Sequence, residues 1–93
     1  MKILYLANEE IPGRMGGSVH AWEVARGLAA MGHALTLLVH RGEGHSPEER
    51  REGVRIVRSN LKRRGKMIPL LGTRAAFRLA RGVDVVMERH LTL

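Results

Sequence analysis

Two short, nearly unbroken apolar runs, Lys2–Ala7 and Ala34–Val39, flank a stretch with helical periodicity, and this restricts the fold of the chain more than any other feature. A strand with one face in water alternates apolar and polar residues. A strand that is apolar at consecutive positions must be covered on both faces, as in a parallel sheet wrapped by helices. The connection between the two runs fits that picture. A polar loop, Asn8–Gly17, carries Pro12, Gly13, Gly16 and Gly17, and Ser18 is then placed to cap a helix running to Met31. Ala21, Val24, Ala25 and Leu28 fall at i, i+3, i+4 and i+7 on one face of that helix, and Gly32 stands where a left-handed residue would end it.

The remainder extends the same alternation. Ser46–Gly53 has Ser, then Pro, then acids, then bases, then Gly, which predicts a short helix. Val54–Arg58 alternates apolar and basic residues, as a strand near a sheet edge does, and Ser59–Lys66 reads as a basic loop. A helix opening at Pro69 or Thr73 runs to Arg81 and stops at Gly82. Val83–Met87 is a fourth strand, with Glu88, Arg89 and His90 at its carboxyl end. No internal repeat or low-complexity tract interrupts the series. The fold class expected is α/β: a Rossmann-like parallel sheet with helices on both faces. Right-handed crossovers favour the strand order 3-2-1-4. With 93 residues the chain is read as one domain, 1–93. Ligands of such sheets bind at the carboxyl ends of the strands where the order reverses, here after Ala7 and after Met87.

Composition removes several classes of function. A hydrophobic content of 44% is too high for a disordered chain, and without cysteine there is no disulfide framework, thiolate metal site or Cys nucleophile. The longest apolar run, Leu35–Val39 with Thr36 inside it, falls far short of the roughly 20 residues of a membrane span. The apolar start meets Asn8, Glu9 and Glu10 too soon for a signal peptide, so a cytoplasmic setting is expected.

Of a net charge of +7, the segment 50–81 carries more than the whole, with eleven bases against Glu52 alone, or +10. Such a block suits phosphate, nucleic acid or an anionic bilayer, with a solvated basic surface as the plain alternative. Within it Arg74, Arg78 and Arg81 recur at i, i+4 and i+7. With Arg63, Arg64 and Lys66 upstream and Phe77 among them, they form a candidate contact for an anionic membrane surface.

Gly13, Gly16, Gly17 and Ser18 open the first helix, where glycine permits close backbone approach and unpaired N–H groups attract phosphate. Their spacing fits neither the dinucleotide fingerprint nor the phosphate-binding loop that ends in Lys. A turn requiring positive φ is the competing reading. Glu88, Arg89 and His90 are placed to face that loop across the crevice, or else simply to end the sheet in solvent. His20 lies near the helix start and is a candidate for the cleft, whereas Trp22 is assigned to packing and His33 to the turn before the second strand. His40 and His45 have no carboxylates at ligand spacing, so no metal site is proposed.

Taken in order, Lys2–Leu6, Gly16-Gly17-Ser18-Val19-His20, Trp22–Leu28, Gly32–Leu38, Gly53–Ile56 and Val83–Arg89 resemble the amino-terminal part of a GT-B glycosyltransferase of the family 4 type. The resemblance spans nearly the whole chain. It implies transfer of a sugar from a nucleotide-sugar donor to an acceptor, with no cofactor and no required metal. It places Gly16 and Gly17 against the donor diphosphate and the acceptor, with Ser18 and His20 beside them, and puts a polar residue reaching the donor sugar at Arg89 or His90. It also implies docking on membranes through basic, apolar surface, to which the 61–81 stretch is similar. In that family a carboxyl-terminal domain holds most of the donor pocket. The expectation is therefore a fragment or one piece of a split enzyme, inactive alone, partnered by that domain or a second chain, with the fourth strand left as a sheet edge.

Two other readings stand beside it. A small stand-alone nucleotide- or phosphate-binding module would unfold cooperatively and melt higher with nucleotide. A basic nucleic-acid-binding protein would show affinity rising steeply as salt falls. Against the latter, the aromatics Tyr5, Trp22 and Phe77 lie outside the basic loop and offer no stacking platform there.

Overall fold

The computed structural model of the 93-residue chain describes residues 1–7, 11, 16–41, 44–59, 62–63, 66–67 and 74–89. Along the chain these form β1 (Lys2–Ala7), α1 (Gly16–Ala30), β2 (Ala34–His40), β3 (Glu48–Arg51), β4 (Val54–Ser59), β5 (Lys62–Arg63), β6 (Lys66–Met67), α2 (Arg74–Leu79) and β7 (Val85–Arg89). The main sheet has the order β3-β4-β2-β1-β7. Its four parallel members, β4-β2-β1-β7, are the four strands expected from sequence, in the expected order 3-2-1-4. The fold is α/β and Rossmann-like, with one antiparallel strand, β3, added outside β4.

Register explains why the apolar runs are continuous. Ile3, Tyr5 and Ala7 share one face with Leu35, Leu37, Val39, Val54 and Ile56, and that face is covered by Ala21 and Ala25 of α1, with Trp22, Val24, Leu28 and Ala29 packed around them. Leu4, Leu6, Leu38 and Val57 form the other face, covered by Ala76 of α2 with Leu79 and Ala80. The apolar residues of β1 thus have cover on both faces of the sheet, and Leu4, Leu6, Leu37 and Leu38 are wholly excluded from solvent.

The end of α1 follows from a single glycine. Gly32 has φ 94°, its N–H reaches the Ala29 carbonyl at 3.0 Å, and the His33 N–H reaches the Leu28 carbonyl at 3.3 Å. This paired arrangement is a Schellman motif, which satisfies the last helical carbonyls and reverses the chain into β2. The other end of α1 differs from expectation. The helix already includes Gly16 and Gly17, so Ser18 is an internal residue and not the cap. Ser18 is buried because it lies on the same inward line as Ala21 and Ala25, at i, i+3 and i+7.

Ser46–Gly53 is not a helix. Glu48–Arg51 pairs antiparallel with β4, Arg51 opposite Val54 and Glu48 opposite Val57, leaving Glu52 and Gly53 as a two-residue hairpin turn. Both have positive φ, 50° and 80°, as a turn matched to the strand twist requires. The basic stretch expected as a loop also contains strand pairing, with Lys62 opposite Met67 and Arg63 opposite Lys66.

In the second half, α2 begins at Arg74 and ends at Leu79, short of the expected Arg81: an Ala80 N–H to Ala76 carbonyl bond of 2.9 Å carries the helical pattern one residue further, and Arg81 and Gly82, with φ 76°, then form the turn. The candidate starts at Pro69 and Thr73 lie outside the described residues. The fourth strand is shifted two residues toward the carboxyl end, to Val85–Arg89. Asp84 accounts for the shift: its N–H bonds the Lys2 carbonyl at 2.8 Å while its carboxylate accepts from the Lys2 N–H at 2.8 Å. A side chain there takes the place of the next ladder bond, so regular pairing starts one residue later.

Candidate functional site

The strand order reverses between β1 and β7, and the two strands lie side by side with Ile3 opposite Val85 and Ala7 opposite Arg89. Glu88 and Arg89 are therefore the last residues of the strand and not a tail that follows it. Arg89 sits on the ladder next to the residue from which the glycine-rich loop departs.

The start of α1 belongs to the same end of the sheet. Its last turn leads directly into β2, whose first N–H, at Ala34, bonds the Met1 carbonyl at 2.9 Å at the amino-terminal edge. A 15-residue helix is about 22 Å long, so one that ends at that edge begins near the carboxyl ends of the strands. Gly16 is exposed and Gly17 half-buried there, with Ser18 buried and His20 exposed in the following turns. Gly16 and Gly17 lead the helix, in the first turn where backbone N–H groups have no acceptor within the helix. A Cβ added at Gly16 would meet no described residue within 4 Å. The topology thus gathers the turn at Gly16–Gly17 and the position of Arg89 at one end of the sheet; His90 lies outside the described residues.

Behind this crevice stands a residue that sequence reasoning counted as part of the basic surface. The Arg58 side chain, at the carboxyl end of β4, is completely buried. Its Nε and Nη2 donate to the Ile11 carbonyl at 3.0 and 2.6 Å, its Nη1 donates to the Ser46 carbonyl at 3.1 Å and to Ser46 Oγ at 3.5 Å, and Nη2 also pairs with the Glu49 carboxylate. A pattern in the sequence points to it. Arg58 has the parity of Val54 and Ile56, the face turned into the core. The hydrogen bond from Arg58 holds the Glu49 carboxyl below the usual carboxylate range against the cost of lost hydration, with the charges of Arg58 and Arg51 adding to the effect. On the opposite face of the hairpin, Arg55 grips Glu48 through two bonds of 2.9 and 3.1 Å. The Glu48 carboxyl is lowered, and the Arg55 guanidinium raised, by that hydrogen bond first.

These pairs redistribute the basic block. Arg55 and Arg58 are ion-paired with Glu48 and Glu49 across the hairpin, and Arg51 with Glu49 along β3, so much of the positive charge of β3 and β4 is neutralised within it. Arg74, Arg78 and Arg81 are exposed. Phe77 lies on the same helical face, at i+3 from Arg74, and is 72% exposed. The side chains of Arg63, Arg64 and Lys66 lie outside the described set. Tyr5 and Trp22 are core residues, which leaves Phe77 as the exposed aromatic among the described residues.

A shallow groove of about 450 Å³, lined by Glu23, Arg26, Gly27, Ala30 and Glu52, lies at the opposite, amino-terminal end of the parallel strands, beside the hairpin turn. Arg26 bridges it, 2.6 Å from Glu23 and 3.8 Å from Glu52, and both carboxylates hold the guanidinium pKa above its ordinary value. Among the described residues no three His, Asp or Glu side chains are grouped to hold a metal ion. Nor is any helix among them long and apolar enough to cross a membrane.

Comparison with curated proteins and with solved structures returned no match. Comparison with family models matched Glycosyltransferase Family 4 over residues 15–92, from the edge of the diglycine turn past the end of β7. The matched segment holds α1 with its Gly16–Gly17 start and the parallel strands β2, β4 and β7, so sequence pattern and topology agree, and the chain belongs to Glycosyltransferase Family 4.

Proposed function

We propose that the chain forms the acceptor-side part of a GT-B glycosyltransferase, which moves a sugar from a nucleotide-sugar donor to an acceptor. The observation that carries this reading is the pairing of Ala7 with Arg89, which brings the exit of β1 beside the end of β7 where the strand order reverses. In this reading the N–H groups of Gly16 and Gly17 lie against the donor diphosphate. Fixed donors at a helix start stabilise the negative charge that grows on the leaving diphosphate as the glycosidic bond to it breaks. Ser18 and His20 border that turn, and Arg89 or His90 reaches the donor sugar.

Titration of the ¹⁵N-labelled chain with UDP, GDP and inorganic pyrophosphate tests it. The amides of Gly16, Gly17 and Arg89 should shift together, while those of Gly32 and Gly53, at the other end of the strands, stay in place. Shifts confined to that other end, or none at millimolar ligand, would refute it.

A second surface carries its own reading. The exposed face of α2, with Phe77 beside Arg74 and Arg78 and with Arg81 in the turn that follows, suits an anionic lipid surface, the ring entering the interface and the guanidinium groups meeting headgroups. Each near-surface base contributes about 1 kcal/mol, so replacing the three arginines by Gln should weaken binding to phosphatidylglycerol vesicles by roughly 100-fold. Equal binding to phosphatidylcholine vesicles, or an unchanged affinity in the triple variant, would dismiss this contact.

A further inference from the structure

We infer that Arg58 is a positioning residue for the β1–α1 loop: it clamps the loop at Ile11 and thereby sets the placement of the Gly16–Gly17 turn. The inference rests on the reading of that turn as the diphosphate contact.

Three observations carry it. First, every N–H of the guanidinium has an acceptor. Nε–H and one Nη2–H go to the Ile11 carbonyl, the other Nη2–H to Glu49, and the two Nη1–H groups to the carbonyl and hydroxyl of Ser46. A fully buried charge with all five donors used fixes its acceptors tightly, because any displacement leaves a buried donor unmade.

Second, Ile11 lies midway along the connection. Residues 8–15 join Ala7 to Gly16, and pinning Ile11 divides them into spans of three and four residues. Ile11 itself is 2% exposed and packs in the core on the α1 side, so the clamp holds both its side chain and its carbonyl. Holding Ile11 shortens the chain length between a fixed residue and Gly16, which lowers the entropy lost when the Gly16–Gly17 turn is held for a ligand.

Third, the clamp gives the antiparallel strand a purpose. Glu49, opposite Ile56 in β3, supplies the counter-charge, and Ser46, just before β3, supplies two acceptors. The edge hairpin thus reaches the loop through Arg58, although the two are remote in sequence.

The test compares wild type with Arg58→Met, Arg58→Lys and Glu49→Gln, all as the full ¹⁵N-labelled chain. Three readouts are taken: the urea midpoint, amide order parameters, and pyrophosphate affinity followed at Gly16 and Gly17. In Arg58→Met the order parameters at Ile11, Gly16 and Gly17 should drop from about 0.85 to below about 0.6, while those of Leu37 and Leu38 in β2 hold. Pyrophosphate affinity should fall about tenfold or more. Arg58→Lys keeps the charge but lacks the fork that grips one carbonyl twice, and it should rescue the urea midpoint without rescuing the loop. Glu49→Gln keeps the carbonyl bonds and should lie between wild type and Arg58→Met, which carries the test if Arg58→Met does not fold.

The proposal is overturned if the folded variants keep wild-type order at Gly16 and Gly17 and bind pyrophosphate within twofold of wild type. It is equally overturned if order is lost evenly across β2 and the loop, since Arg58 would then be a stability residue alone. If wild type shows no pyrophosphate shifts while the loop still loosens in Arg58→Met, the diphosphate reading falls and the clamp stands.

Discussion

Arg50 and Arg55 stand directly opposite one another in the hairpin, like charges in register, and the neighbouring Glu48 carboxylate takes the Arg55 guanidinium by two hydrogen bonds. Like charges facing across a strand pair are unfavourable, whereas β-branched residues suit such positions. Arg50→Thr should therefore stabilise the chain by about 0.2–1 kcal/mol. A higher urea midpoint with an unchanged slope would confirm it, and a lower midpoint would show that Arg50 is held by Glu48 more strongly than it is repelled by Arg55.

Two glycines, one inside α1 and one just past its end, should respond in opposite directions. Gly27 lies inside α1 with nothing within 4 Å of an added Cβ, so Gly27→Ala should stabilise by roughly 0.5–1 kcal/mol. Gly32 has equally open surroundings but φ 94°, so Gly32→Ala should cost roughly 1–2 kcal/mol through the backbone alone. Thermal melts of the two variants check this directly, and a shift of the same sign in both would contradict it.

Glu48 and Glu49 make stability depend on pH. Their native carboxyls lie below the ordinary value because Arg55 and Arg58 bond to the ionised forms. Their contribution is therefore complete above about pH 4.3, the unfolded value, and is lost as pH falls through the lower native values. Glu49→Gln should be less stable than wild type at pH 6, and the gap should close toward pH 3. Urea titrations across that range would reveal a constant gap if the ion pair contributes nothing.

Burial separates two large side chains that look alike in the sequence. Leu4 is fully enclosed between β2, β7 and α2, and Leu4→Ala should lose about 2–5 kcal/mol, a large part of what holds a small domain together. Phe77, being 72% exposed, should tolerate replacement by Ser within about 0.5 kcal/mol. A comparable loss in both would mean that Phe77 is covered in solution.

The parallel strands were legible because each is apolar at consecutive positions, a pattern that only two-sided burial explains, and the Ala21–Leu28 stripe matched the face of α1 turned to the sheet. The hairpin was not legible for a physical reason. A glycine that ends a helix and a glycine in the second position of a tight hairpin turn both need left-handed backbone, so Gly53 fits either structure. Ser46, Pro47 and the two glutamates satisfy the local rules for a helix start. The decision came from β4, which offers Glu48–Arg51 a ladder and gives both carboxylates guanidinium partners. Arg58 was missed because its charge was weighed before its parity, although it falls on the inward line of Val54 and Ile56. At the site, the meeting of β1 and β7 followed from crossover handedness, while the two-residue shift of β7 depended on Asp84 bonding Lys2, a contact between residues 82 positions apart.

The sheet is finished differently on its two flanks. One ends in the charged strand β3, and on the other β7 pairs with β1 and, among the described residues, with no further strand. Charged side chains along β3 oppose further pairing on its flank, whereas Val85, Val86 and Met87 present an apolar run on the other. Any polypeptide that adds a strand there must run alongside Val85–Arg89, and so also furnishes a new wall of the crevice at Arg89. Recruiting that neighbour and shaping the cleft would be a single assembly event.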